Sequence, residues 1–452
     1  MGTYVSEQSW FGRIGGAIKG ILFGGLLILV SVPLLFWNEG RAVRTAKGLK
    51  EGAKVVIDIQ PDQIDPANEG KLVHAGGTVQ TGDLLRDEAF GLEYNGIRLT
   101  RHVEMYQWVE DKQTDREKKL GGGTRTTTTY SYHKDWAPGV ISSDGFDEAA
   151  THQNPTQALF SKRVQQAQDV NLGQFRLPDS LINMISGNES VELDESNVPA
   201  EYARAASIRK DGPGGQSRIY LSANLAPPQS GLSGGNSQRF DPAVTKQQDG
   251  EKKPLFELVD PEVGTPNSLM TEGSIGAEPS PSGAPQIGDT RIWFTATPVQ
   301  TVSLMSQQSG ETFSPYQTKF GTTINVLRDG TLSAAEMIAQ EVSANRVMTW
   351  MLRGGGSLVM FIGLSMLLRP LVVLADVLPI AGSLVGFGTA IVAGLLTIAG
   401  ALTVIGIAWI FYRPLLGISL LAVAAVALYL IYKRNRAKRG SQPEMLTDMD
   451  LA

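Results

Sequence analysis

The distribution of charge along the chain constrains the fold most. Residues 20–37, "GILFGGLLILVSVPLLFW", carry no ionisable side chain, and residues 354–432 form a second apolar block interrupted only by Arg369, Asp376 and Arg413. About 20 apolar residues in a helix cross the hydrocarbon core of a bilayer, so the first run fits one crossing and the second fits several. The stretch between them is polar and mixed. The pattern predicts a multi-pass α-helical membrane protein of four spans, with a large β-rich α+β extramembrane domain between spans 1 and 2.

The spans divide at charges and prolines. Residues 1–13 form an N-terminal cytoplasmic segment and 14–37 the first transmembrane helix. The first run lacks a small-x-small cleavage site and ends in an aromatic edge, so it reads as a retained anchor and not a signal peptide. Residues 354–375 form the second helix, with Arg369 near its end able to snorkel. Residues 376–388 read as an interfacial or re-entrant segment, 389–412 as the third helix and 415–432 as the fourth; two short spans within 377–412 stay open as an alternative. Residues 433–452 are a basic tail. Its cluster Lys433, Arg434, Arg436, Lys438 and Arg439 marks the cytoplasmic side, which puts both termini there and the polar domain on the other face. Arg41, Arg44, Lys47, Lys50 and Lys54 argue the opposite way, but large translocated domains follow the charge rule poorly.

Among the 452 residues, of net charge -5, there is no cysteine. Disulfides and thiolate chemistry are excluded, and the lack suits a periplasm as well as an endoplasmic lumen. The polar domain divides into a β-rich first part (38–222), a Gly/Pro/Ser-rich insertion (223–288) expected to lack regular structure, and a β-rich second part (289–331). The insertion would separate two β modules. Residues 98–136 read as a long hairpin with a charged, mobile tip, "GAKVVIDI" and "KLVHAGGTV" as short strands, and "PAEYARAASIRK" as a short helix. An amphipathic helix over 332–353 leads to the membrane. Ser333 and Glu336 stand at capping-box spacing, and Leu332 and Met337 are placed as a hydrophobic staple.

Within the hairpin, "RHVEMYQWVE" (101–110) concentrates titratable and aromatic groups. Period two sets Arg101, Val103, Met105, Gln107 and Val109 on one face, and His102, Glu104, Tyr106, Trp108 and Glu110 on the other. If residues 71–79 paired with this strand, His74, His102 and Glu104 would approach as a metal or hydrolytic centre. None has an established ligand spacing, and no nucleophile elbow, phosphate loop or dinucleotide fingerprint occurs. A strand covered on both faces is the preferred reading; no catalytic residue, metal or cofactor is expected. Gly12, Gly16, Gly20 and Gly24 recur every four residues. They lie along one side of a helix, where small residues let a second helix approach closely.

Several segments together resemble one family. "FWNEGRAVRTAKGLKEG", "PANEGKLVHAGG", "RHVEMYQWVE", "YSYHKDW", "SAAEMIAQE" and "FYRPL" are similar, in order over nearly the whole chain, to the transmembrane protein 43 (LUMA) family. The tract around 223–286 departs from the pattern, being much shorter in animal members. The resemblance implies four spans and no recognised active site. It also implies proteins of the endoplasmic reticulum and inner nuclear membrane that organise membrane-protein complexes, associate with emerin and lamins, and self-associate. No residue here can be matched to an emerin or lamin contact. With the absent cysteines and the insertion, a bacterial member is favoured, in the inner membrane with a periplasmic domain. The endoplasmic reticulum and inner nuclear membrane are the alternative.

The function expected is therefore a non-enzymatic membrane scaffold. Its partners would be membrane lipid, other membrane proteins and further copies of itself, with no nucleic acid, and its outer domain would bind protein or lipid headgroups. The alternative is a membrane-tethered hydrolase or metal-dependent enzyme using His102 and Glu104. A transporter ranks third, because the charges of the apolar block lie near span ends.

Overall fold

The computed structural model describes residues 2–223, 284–415 and part of 417–433. Three of its helices are long and apolar enough to cross a membrane: α1 (Trp10–Val55), α2 (Ala334–Ala375) and α3 (Pro379–Tyr412). Half of the fourth expected span, 415–432, and all of the basic tail beyond Lys433 lie outside the described residues.

α1 outlasts its apolar run. The sequence predicts an end at 37 and a strand in "GAKVVIDI", yet the helix continues to Val55 and only Ile57–Asp58 pairs as strand. Past Trp37 the pattern changes from uniformly apolar to one-sided, with Ala42, Val43, Gly48, Leu49 and Gly52 buried. That face is fixed by the β domain. A Cβ on Gly52 would stand 2.5 Å from Ile324, and one on Gly48 would stand 2.5 Å from Thr322. α2 starts with the expected capping box: Ser333 Oγ accepts from Glu336 N, and the Glu336 carboxylate accepts from Ser333 N at 2.8 Å. Met337 is fully buried beside Leu72, Met305 and Ile324, with Leu332 packed against them. The expected segments 332–353 and 354–375 are thus one helix. The expected interfacial segment 376–388 is helical from Pro379, which sits at the first helical position, where its missing N–H costs nothing.

The first sheet contains β1 (Gly2–Gln8), β3 (Arg98–Lys118), β4 (Thr124–Pro138), β5 (Ala206–Lys210), β6 (Ser217–Leu221) and β7 (Thr290–Thr297), in the order β1-β4-β3-β7-β6-β5. The second is built around β2 (Leu72–Thr81), β8 (Thr301–Ser309) and β9 (Val326–Asp329), with β8 between β2 and β9. The sheets share one core. Val103, Ile219, Ile292 and Phe294 come from the first, and Val73, Ala75, Val79, Val302 and Leu304 from the second. Each of the Val, Ile, Leu and Phe side chains among them contributes about 1.5–3 kcal/mol by leaving water.

Two expectations change here. Residues 206–210 of "PAEYARAASIRK" are strand, because pairing with β6 (Ile208 opposite Ile219) outweighs local helical preference. The insertion does not separate two modules. Leu221 and Thr290 face each other in adjacent antiparallel strands, so residues 222–289 are one hairpin connection, of which 224–283 lie outside the described residues. Closing a long loop costs little more than closing a short one.

The hairpin tip is not free. β3 and β4 pair without a break from Glu104–Pro138 to Lys118–Thr124, and β1 adds a third strand along the outer half. Alternating "TYVSEQ" recruits residues 2–8 into this sheet, where a separate N-terminal segment was expected. The ribbon's end meets the N-terminus of α1 and the C-terminus of α2.

Candidate functional site

Polar side chains gather at the two ends of the helix bundle, and the domain-side cluster is the more buried. Directly after its apolar run, α1 presents Asn38, Glu39, Gly40 and Arg41. Glu39 is fully buried and bidentate to Arg353 of α2, accepting from Nε at 2.6 Å and from a terminal nitrogen at 2.8 Å. It also accepts from Trp409 Nε1 of α3 at 2.9 Å. One carboxylate therefore joins three helices. The Arg353 guanidinium lies 4.8 Å from the Trp350 ring centre and 5.8 Å from that of Trp409, so its faces are covered as well as its edge. Asn38 donates to the Thr349 carbonyl at 3.1 Å, Arg41 donates to Asn345 and Thr349, and Asn345 donates back to the Ala42 carbonyl. Gly40 has a steric role: a Cβ there would lie 2.6 Å from the Tyr412 ring. Charges near lipid persist when paired and hydrogen-bonded, as Glu39 and Arg353 are here, whereas Arg41 keeps one buried nitrogen, Nε, without a partner among the described residues.

At the other end, Asp376 caps α2 and is fully buried. Arg13 of α1 and Lys118 of the ribbon both donate to it, Lys118 at 2.7 Å. Arg13 also donates to the Gly122 carbonyl at 2.6 Å, Trp10 Nε1 to the Val373 carbonyl at 2.8 Å, and Gly121 N to the Val377 carbonyl at 3.1 Å. The latch thus combines α1, α2 and the hairpin tip.

The glycine row divides between these ends. A Cβ on Gly24 would approach the Gly363 carbonyl at 2.7 Å, and one on Gly363 the Gly24 carbonyl at 2.8 Å, so α1 and α2 touch backbone to backbone there. Gly20 faces Met366. Gly16 faces nothing within 4 Å, and Gly12 only Gln8 and Ser9 of its own turn. The partner at Gly20 and Gly24 is therefore the chain's own second helix. The basic cluster Lys433–Arg439 falls outside the described residues except for Lys433.

The strand 101–110 has the faces its alternation predicts. Arg101, Val103, Met105 and Gln107 are buried, and the intervening residues half-buried. Arg101 pairs with buried Asp87 at 2.9 Å, between the rings of Phe90 and Phe160. His102 stacks on Trp293 with ring centres 5.1 Å apart, and its Nε2 lies 2.9 Å from Thr295 Oγ1. Burial, and secondarily Lys162, lower its pKa from the ordinary value, with Glu104 opposing. Glu104 accepts from Arg291 at 2.6 Å. His74 sits in the other sheet, between Asp58 and the Leu332 carbonyl. The pairing that would have joined His74 to His102 and Glu104 does not occur. A cleft of about 520 Å³ adjoins His102 and Glu104. Among the described residues, no three His, Asp or Glu side chains converge as metal ligands. Sequence reading passed over Glu39 and Arg353 and took Asp376 only as a charge near a span end, although an ionisable residue abutting an apolar run is a visible signal.

A family model, "Transmembrane protein 43", matches residues 105–414. Human transmembrane protein 43 is 29% identical over 438 residues, covering 96% of this chain and 94% of its own length. The mouse protein is 30% identical over 441 residues (97% and 95%), and a fruit-fly homologue 25% identical over 432 (92% and 94%). No solved structure matches. These relatives are animal proteins and lend no support to the expected bacterial inner membrane. The family match spans both the β-rich region and the apolar helices, and it includes Arg353, Asp376 and Trp409, which close the two polar clusters: this membrane protein belongs to the transmembrane protein 43 family.

Proposed function

We propose that this chain is a membrane scaffold, holding a β-rich domain at the bilayer boundary and gathering further copies of itself and other membrane proteins around its helices. The observation that carries this reading is the Glu39–Arg353–Trp409 junction. It fixes all three helices together beside the core of Leu72, Ile324 and Met337 that joins them to the domain. A rocking-bundle carrier needs helices that shift against one another, whereas a scaffold needs a rigid mount. In this reading the domain faces the non-cytoplasmic side, and a cysteine-free domain suits either a periplasm or an endomembrane lumen.

Self-association runs through the outer half of the glycine row, because α2 already occupies Gly20 and Gly24 while Gly16 is open. The test is crosslinking and native mass measurement of the full chain in mild detergent, comparing wild type with Gly12→Ile/Gly16→Ile. Loss of dimers and larger species from a folded variant supports the reading. A wild type that stays monomeric at every accessible concentration, with no membrane protein retained, overturns it.

A further inference from the structure

We infer that a cleft between α1 and the end of α3 is a binding site for an anionic phospholipid, whose phosphate is held by Lys47, Lys50 and Arg413. This deepens the scaffold reading by naming a lipid class. A cavity of about 600 Å³ opens there, walled by Val43, Tyr412 and Leu415 as well as by the three cations. Val43, Lys47 and Lys50 follow at i, i+4 and i+7, so they share one face of α1. Directly across, the chain leaves α3 at Tyr412 and turns through Arg413. Gly417 N donates to the Arg413 carbonyl, and Gly417 lies back against Ile410, so the described part of the turn packs on the end of α3 itself.

Depth and charge both select a lipid. The apolar run of α1 ends at Trp37, and Trp409 and Tyr412 mark the same level on α3, as interfacial aromatics do. Arg413 follows Tyr412 directly, and Lys47 and Lys50 stand about 15 and 20 Å beyond Trp37 along α1, so the two lysines reach back toward the phosphate level on their long stems, past the apolar wall of Val43 and Leu415. Among the described residues none of the three cations has a salt-bridge partner. Lys47 lies 5.8 Å from the Phe320 ring centre, and the Glu39 carboxylate is already held by Arg353 and Trp409. Three cations facing an apolar-walled gap at the headgroup level suit one phosphodiester carrying acyl chains.

The test uses the full chain in detergent, loaded separately with phosphatidylglycerol, phosphatidylcholine or inorganic phosphate, and compares wild type with Lys47→Glu/Lys50→Glu by native mass spectrometry and thermal shift. Both lysines are exposed, so the variant is expected to fold as wild type. Retained phosphatidylglycerol, bound at least about tenfold more weakly by the variant and poorly replaced by phosphatidylcholine, supports the site. Equal retention of the two lipids, an unaffected variant, or stabilisation by inorganic phosphate alone overturns it. If the variant misfolds, Lys50→Gln alone provides the same comparison. Crosslinked species that persist in the variant leave the scaffold reading standing whichever way the lipid result falls.

Discussion

Removing one partner of the Glu39–Arg353 pair should cost more than removing both. Glu39 is fully buried, and Arg353 gives it two charge-assisted hydrogen bonds of 2.6 and 2.8 Å. In Glu39→Leu the guanidinium keeps its stacking on Trp350 and Trp409 but loses its counter-charge. Breaking a buried pair from one side costs about 3–5 kcal/mol, and the retained stacking argues for the lower end, near 3. That is roughly two powers of ten in the folded-to-unfolded ratio. Arg353→Met should cost about as much, since among the described residues it leaves the carboxylate with Trp409 as its one donor. In the double variant neither charge is left unpaired, so its loss should fall below that of either single variant. Trp409→Phe removes a single donor to a carboxylate and should cost about 1.5–3 kcal/mol, toward the lower end for a bond within a membrane bundle. The assay is reversible unfolding in mixed micelles as the denaturing detergent fraction rises, followed by far-ultraviolet circular dichroism. A double variant as unstable as the sum of the singles would refute the reasoning, since the two groups would then act independently.

Gly24→Ile and Gly363→Ile should each destabilise the bundle strongly, because each puts a side chain within 3 Å of a backbone carbonyl on the facing helix, whereas Gly16→Ile should leave the melting temperature unchanged. Replacing residues 224–283 by a short Gly/Ser linker should keep the domain's stability within about 1 kcal/mol in thermal unfolding, because the flanking strands already pair at Leu221–Thr290. Burial lowers the pKa of His102, so the unfolded chain takes up the proton first, and stability is lost as pH falls through the ordinary histidine value of 6.5. The fall in melting temperature between about pH 7.5 and about pH 5.5 should therefore be smaller in His102→Asn than in wild type. Asp376→Asn should release the hairpin tip, read as faster hydrogen exchange over residues 115–124 with the β core unchanged; equal exchange in the two proteins would show that the latch does not hold the tip.

Much of this architecture is legible in the residues. Uncharged runs announce the membrane helices, the alternation in 101–110 gives the faces of β3, and Ser333 with Glu336 marks the start of α2. What escaped was decided by partners distant in sequence. The second half of α1 is mixed in composition, and its helicity depends on a β domain that buries Gly48 and Gly52. Residues 206–210 read as helix until β6 is present to pair with them. The Glu39 junction joins residues more than 300 positions apart, so the chain shows three isolated polar residues where the fold makes one site. His74 and His102 look like neighbours in sequence pattern, yet they lie in different sheets.

The ribbon also bears on how the chain can enter a bilayer. It joins the domain beside Gly52 to the opposite end of α1 at Arg13, and so runs past the apolar stretch between Arg13 and Asn38, about 37 Å along the helix axis. Its outer half is "DKQTDREK" paired with "TRTTTTYS", polar on both faces and bounded by an open strand edge. Hydrocarbon cannot hold such a ribbon. The clasped arrangement and an α1 that crosses lipid with the whole ribbon on the domain side are therefore mutually exclusive. Either the tip lets go of Arg13 and Asp376 as the helix inserts, or the ribbon passes through a water-filled path lined by protein. In the first case Asp376 is a clasp that the membrane opens, and insertion must supply what Arg13 and Lys118 give up.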